Sequence, residues 1–332
     1  MRAASRTLPN LPPLLRQKIY KTGQTRGADD DVLFQNRVGG NSTVLIPYDH
    51  WERASAPPEG AQGFESGFIA VLSPGRYFGT PGIEAELAER GLKMGANALV
   101  LYETRDEWKR HNPEALGWVA ATRRTGPLGG SYAARVPAST AASEGEKIVR
   151  GYNTTASKGA GIRIYEYAAR ETIRQCRLQL EFLFWQCRDA SEIAAAQGMS
   201  VADSSARKEG NAELCGAASL ADPGLLRAAR LMSENSRTIC PLCLEEVSAS
   251  GFFTKVEQAE GRLVPDLTIT QLNLFHIQEL RLGSYGHRPY NLGWGHHHCN
   301  VVVKDAGIAE TVIWMNTVVD KNVEAGYLIK GA

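Results

Sequence analysis

Over the first 155 positions, apolar residues come in short bursts between stretches rich in Gly and Pro: Val44–Tyr48 (VLIPY), Gly67–Leu72 (GFIAVL), Ala98–Tyr102 (ALVLY) and Trp118–Thr122 (WVAAT). Short apolar runs bounded by turn formers read as strands. One helix is expected among them, Ile83–Gly91 (IEAELAERG), acidic at its start and closed by a glycine suited to the left-handed cap. From Thr125 to Lys158 the chain is polar, with much Gly, Ser, Thr and Ala, and reads as loops or an interdomain passage.

The pattern then changes. Between Ile162 and Ala196 apolar residues recur at helical spacing, at Ile164, Tyr167, Ala168, Ile173, Leu178, Phe182 and Trp185, which predicts one long helix. Its Arg170, Arg174, Arg177 and Arg188 suit either a phosphate-facing row or a solvated face interleaved with Glu171 and Glu181. Cys176 and Cys187 read as core residues. A polar, Ala-rich segment near 198–221 and a short helix over Leu225–Met232 follow. Beyond them, the alternating run from Leu267 to Leu280 reads as a strand and Gly283–Pro289 as a loop. The expected class is α+β: a strand-rich mixed domain at 1–158, a helical linker or dimerisation segment at 159–235 and a compact domain at 236–332.

At 332 residues, two domains with their own cores fit better than one. Apolar residues make up 43% and charged residues 22%, ordinary globular usage that argues against disorder or a fibrous chain. The opening MRAASRTLPNLPPLLRQKIYK has no apolar stretch long enough for a signal peptide or a membrane span, so a cytoplasmic protein with no membrane partner is expected. Six cysteines are too few for a disulfide scaffold and suit thiols or metal ligands. Net charge is +1, and Lys+Arg against Asp+Glu runs 20 to 16 over 1–160, 9 to 10 over 161–235 and 8 to 10 over 236–332. That distribution leans only weakly toward phosphate contacts in the first half.

Five of the seven histidines lie between His276 and His298, and three of the six cysteines between Cys240 and Cys299. Cys240-Pro-Leu-Cys243 is a C-x-x-C turn able to grip one side of a tetrahedral zinc ion, and His296-His-His-Cys299 repeats its spacing. Cys240, Cys243, His296 and Cys299 form the expected zinc set. His297 and His298 compete with His296 but do not preserve the paired spacing. A redox C-x-x-C is the competing reading, and it lacks the βαβ context that such motifs occupy.

The order C-x-x-C, strand ending in a histidine, loop, N-L-x-x-x-H-x-x-C-N, then Lys resembles the zinc-bound HNH, or ββα-metal, endonucleases. The resemblance implies that His276 is the general base, that Asn291 holds the loop and that Asn300 binds a catalytic divalent metal. Imidazole, with an ordinary pKa near 6.5, suits proton abstraction from water at physiological pH. A hard ion such as Mg²⁺, held through oxygen, suits charge neutralisation at phosphate. Zinc would then be structural, fixing a unit with too little core of its own.

The family usually places an Asp or His just before the general base as a second metal ligand, where this chain has Phe275. Asn273, Gln278, Glu279, His287 and His297 are the possible substitutes, Glu279 being chemically the most apt.

The stretch LPNLPPLLRQKIYKTGQTRGAD from Leu8, with Tyr290-Asn-Leu-Gly-Trp-Gly-His-His-His-Cys-Asn300, also resembles the BstXI-type restriction enzymes. That resemblance implies a type II endonuclease of double-stranded DNA that yields 5′-phosphate ends, acts as a homodimer and has a cognate DNA methyltransferase. The Ile162–Ala196 helix is then either the dimer interface or an intramolecular packing helix. Residues 21–37 and 105–124 are basic or polar enough to reach DNA. Two alternatives carry the same residues: a homing or structure-specific nuclease, and a zinc-dependent DNA-binding regulator that does not cut.

Overall fold

The computed structural model describes residues 8–20, 43–56, 63–123, 126–134, 136, 162–163, 167–254, 270–278, 285–304 and 306–329. The chain divides into two compact units, one of residues 1–22, 171–281 and 286–332, the other of residues 23–170 and 282–285. The helices of segment 171–235 thus fall in the same unit as the Cys/His cluster. Among the described residues no helix is long and apolar enough to cross a membrane.

The second unit is built on five strands, β1 (Val44–Pro47), β2 (Phe68–Leu72), β3 (Ala98–Tyr102), β4 (Tyr132–Ala134) and β5 (Ile162–Arg163), in the order β4-β3-β2-β1-β5. Every pairing in it is parallel. Parallel strands need crossovers, and helices lie in the connections: α2 (Trp51–Ala54) between β1 and β2, α3 (Pro74–Gly79) and α4 (Ile83–Glu89) between β2 and β3, α5 (Arg105–Arg110) between β3 and β4. Burial on both faces explains why the strands read as continuous apolar runs. Ala70, Leu72, Val100, Tyr102 and Ala134 load one face, and Leu45, Ile69, Leu99 and Ala133 the other.

The helix expected at Ile83–Gly91 is present, and Gly91 takes a left-handed φ of 70° just beyond it. Trp118–Thr122 does not become a strand; Ala120 makes only an isolated bridge to Tyr132. The turn around Gly130 crowds it, since a Cβ there would lie 2.4 Å from the Ala120 backbone.

The first unit is organised around α6 (Arg170–Trp185). Cys176, Leu180, Leu183, Phe184 and Trp185 join Leu11, Leu15 and Ile19, of which the last two lie on α1 (Pro13–Tyr20), in one apolar core. The single helix expected over 162–196 is three elements, β5, α6 and α7 (Ala190–Ala196). The break falls at Asp189, whose carboxylate accepts from Ser248 Oγ (2.5 Å) and from the amides of Ala249 (2.6 Å) and Ser250 (3.3 Å). Eight residues of α6, among them Ile173, Leu180 and Trp185, are buried in its own unit.

The Ala-rich segment contains a 17-residue helix, α8 (Val201–Ala217), capped by Ser200 accepting from the Asp203 amide at 3.1 Å. It escapes the periodicity test because its buried face is Ser204, Gly210, Asn211 and Cys215 rather than large apolar side chains. A Cβ on Gly210 would meet Leu8 Cδ2 at 2.2 Å, so the glycine lets the N-terminal segment lie against α8. The helix expected near 225–232 is α9 (Pro223–Ala228).

Arg207 of α8 holds Glu181 of α6 through both guanidinium edges, at 2.7 and 2.8 Å, and donates to the Pro9 carbonyl at 2.8 Å. Glu181 is 1% exposed and Arg207 13%. Removing one partner of a pair this buried strands the other charge, at a cost of about 3–5 kcal/mol. Glu181→Ala is therefore expected to lower the urea midpoint sharply, and an unchanged midpoint would show that the pair does not hold α6 to α8.

Candidate functional site

Met232 and Thr238 bridge ahead of the C-x-x-C turn, and within the turn the Cys240 amide donates to the Glu245 carbonyl (2.8 Å) while the Leu244 amide donates to the Cys240 carbonyl (2.9 Å). That fold requires a left-handed residue after the second cysteine, and Leu244 supplies it with φ 64°. Arg230 secures the turn from outside, donating from Nε to the Pro241 carbonyl (2.7 Å) and from Nη2 to the Leu242 carbonyl (3.4 Å).

The opposing pair comes from β7 (Leu292–His296) and α10 (His297–Val303), with His296 ending the strand and Cys299 in the first turn of the helix. The ligand atoms of Cys240, Cys243, His296 and Cys299 all lie within 4.8 Å of one another, and Cys243 Sγ is 3.4 Å from His296 Nδ1. Tetrahedral zinc with bonds of about 2.0–2.3 Å sets its ligands roughly 3.3–3.8 Å apart, so these residues fit the ion with little movement.

Electrostatics agree with that fit. Burial, reinforced by the neighbouring sulfurs, pushes the Cys299 thiol far up, and burial likewise raises Cys243. Burial and then the adjacent His298 lower His296. Crowded thiols that resist ionising together are what a divalent cation at their centre compensates. His298 stacks on His296 with centroids 5.3 Å apart, and His297 Nδ1 lies 3.1 Å from Asn273 Nδ2. Of the three consecutive histidines, His296 joins the cluster.

β7 pairs antiparallel with β6 (Leu272–His276), from Leu272↔His296 to His276↔Leu292. His296 and His276 therefore sit at opposite ends of the ladder, four residue steps or roughly 13 Å apart along the strands. α10 packs on both strands. The Ile308 amide, at the start of α11 (Ile308–Glu324), donates to the Ile277 carbonyl at 2.9 Å, so α10 runs back from the cluster toward the His276 end. Asn300, half-buried, lies on that helix one residue past Cys299.

His276 is half-buried, with its ring centroid 5.9 Å from that of His287. Asn291 is buried, and its side chain joins both ends of the connection between the strands: Nδ2 donates to the Gly286 carbonyl (2.6 Å) and Oδ1 accepts from the Gln278 amide (2.8 Å). Its backbone carbonyl also accepts from Ile277 (3.1 Å). Arg288 Nη2 adds a bond to Gln278 Oε1 at 2.6 Å.

Phe275 is fully buried, its ring over Gly295, where a Cβ would lie 2.4 Å away. It is a packing residue. Among the substitutes considered for its position, Asn273 and His297 bond each other, Gln278 is held by Asn291 and Arg288, and His287 stands beside His276. Glu279 lies outside the described residues. Sequence reasoning missed Arg230 and Leu244, which shape the C-x-x-C turn, because neither residue type signals that role.

No curated protein matches the chain. A crystal structure of a type II restriction endonuclease is similar at 16% sequence identity, with 47% of this chain and 54% of that chain covered and a TM-score of 0.29, so the match spans about half the length of that protein. The family model for the BstXI restriction endonuclease matches residues 17–297. Matched over most of its 332 residues, the chain belongs to the BstXI restriction endonuclease family.

Proposed function

We propose that this chain is a type II, site-specific endonuclease of double-stranded DNA, and that residues 236–332 are an HNH (ββα-metal) nuclease domain with a structural zinc. The observation that carries the reading is the β6–β7–α10 unit, which holds a Cys₃His tetrad at one end of its ladder and His276 at the other. Zinc ligands so far from the histidine serve to fix the unit, not to carry the reaction.

In this reading His276 accepts the proton of the attacking water, a task for a neutral imidazole held at the edge of a rigid strand. Asn291 is a positioning residue: by fixing Gly286 and Gln278 it sets the backbone on either side of His276 and His287. Asn300 offers its side-chain oxygen to a catalytic divalent ion such as Mg²⁺. When bound, that ion neutralises charge at the scissile phosphate and the departing 3′ oxygen. The products are 5′-phosphate and 3′-hydroxyl ends. Because Phe275 is in the core, a second ligand comes from elsewhere, from Glu279 or from His287 beside His276. Residues 1–158 would form the DNA-recognition domain, residues 159–235 the helical segment joining it to the nuclease. Cutting both strands of a symmetric site calls for two copies of the centre, and the cell needs a DNA methyltransferase to protect its own sites in the cytoplasm.

The buried Phe275 also favours a second reading, a zinc-dependent DNA-binding protein that does not cut. A digest of plasmid DNA separates the two. Wild type with Mg²⁺ is expected to give discrete, reproducible fragments, and His276→Ala to slow cleavage by about 100- to 10,000-fold while DNA binding persists. DNA binding by wild type with no cleavage in any divalent ion would instead establish the non-cutting protein.

Metal analysis is expected to return one zinc per chain. Cys299→Ser should lose most of it and melt well below wild type, because a site formed only on folding converts binding energy into stability. A zinc-free protein of unchanged melting temperature would sink the structural-zinc assignment.

Asn291→Ala removes one buried and one part-buried hydrogen bond at the loop. It is expected to cut kcat roughly 100-fold through misplacement of His276 with zinc content unchanged. Wild-type kcat in this variant would refute the positioning role.

A further inference from the structure

Tyr290 has a backbone conformation that few tyrosines adopt. The Asn291 amide donates to the Arg288 carbonyl at 3.2 Å, closing a turn with Pro289 and Tyr290 at its centre, and Tyr290 takes a φ of 61°. Proline in the second place and a left-handed residue in the third is the pattern of a type II turn, whose third place glycine fills without strain. A large side chain persists there only where its surroundings over-determine it, and such positions cluster at functional sites.

Both ends of Tyr290 are held. Its amide donates to Gln179 Oε1 at 2.7 Å and its hydroxyl to the Ser219 carbonyl at 2.6 Å, while its ring packs against the apolar core. Gln179, on α6 and 1% exposed, donates from Nε2 to the Leu220 carbonyl at 2.8 Å. Ser219 and Leu220 close the end of α8: the Leu220 amide donates back to the Cys215 carbonyl at 2.8 Å, and Ser219 is itself left-handed with φ 56°. The turn is thus tied to α6 and to the end of α8 in one closed bridge.

Glycine would form this turn with less strain, so what tyrosine adds is attachment. The residue it attaches stands directly before Asn291, whose side chain bonds Gly286 and Gln278. We propose that Gln179 and Tyr290 are positioning residues, a clamp that fixes the direction in which Asn291 enters the loop and so the place where His276 is presented. The proposal rests on the nuclease reading for the purpose of the clamp.

Two variants test it. Tyr290→Phe keeps the ring and deletes only the bond to Ser219; Gln179→Met keeps the side-chain length and deletes both amide bonds. With zinc and helix content at wild-type levels, kcat for plasmid cleavage is expected to fall about threefold in the first and about tenfold in the second, with KM within about twofold of wild type. Combined with Asn291→Ala, Gln179→Met should cost little more, because both act on one loop; effects that multiply would make Gln179 an independent structural residue and overturn the proposal. A second readout needs no cleavage. The imidazole proton signal of His276, assigned by its loss in His276→Ala, is expected to shift or broaden in both variants while those of His50 and His111, in the other unit, stay in place. An unmoved His276 signal overturns the clamp whether or not DNA is cut, and so does wild-type kcat in both variants. Tyr290→Phe decides the matter even if Gln179→Met misfolds. A shifted His276 signal in a protein that cuts no DNA would leave the clamp standing and count against the nuclease reading alone.

Discussion

The carbonyls of α6 hold the site together. Within a helix these groups already accept from the turn above, yet Leu180 O also accepts from Trp294 Nε1 (2.9 Å) on β7 and Leu183 O from Thr238 Oγ1 (2.5 Å) just before the C-x-x-C turn. Gln179 adds a third tie, accepting from the Tyr290 amide (2.7 Å) at the foot of β7 and donating to the Leu220 carbonyl (2.8 Å). One buried helix therefore fixes the two segments that must meet for the Cys/His cluster to form. Second bonds to helix carbonyls are worth little in water and much more where water is excluded. That is why the core around Leu180, Leu183 and Phe184 is a precondition of the site.

How much of this was legible in the sequence depends on where the information lay. The four residues of the Cys/His cluster could be read because zinc imposes both residue type and spacing, and the structure brings those four together. Asn291 donates to the Gly286 carbonyl and accepts from the Gln278 amide. Leu244 could not be found, since leucine gives no hint of a φ of 64°, and Arg230 could not because its partners are carbonyls.

The fold was legible in its strands and opaque in its assembly. The bursts at 44, 68 and 98 are strands because their side chains are buried on both faces, but nothing in a burst says which strand it pairs with or that all pairings are parallel. Periodicity failed in two opposite ways. It overran at 162–196, where Asp189 abandons helical geometry to bind the 248–250 turn. It fell short at 201–217, where close packing at Gly210 and a bond from Asn211 to the Leu178 carbonyl replace a stripe of large apolar residues.

Phe275 ties these threads together. A side chain one position before a strand-end histidine points to the opposite face of the ladder from that histidine, because strands alternate. With Gly293 opposite and Gly295 on the diagonal, that face is open enough to take an aromatic ring, and Phe275 fills it completely. A carboxylate or imidazole there would need a polar partner in a place lined by core residues, and its burial would be costly without one. The glycines and the phenylalanine thus complement one another, and the position has become part of what stiffens β6 between the Cys/His cluster and His276. The hairpin gains rigidity at that point, while Asn291 ties Gln278, just past β6, to Gly286.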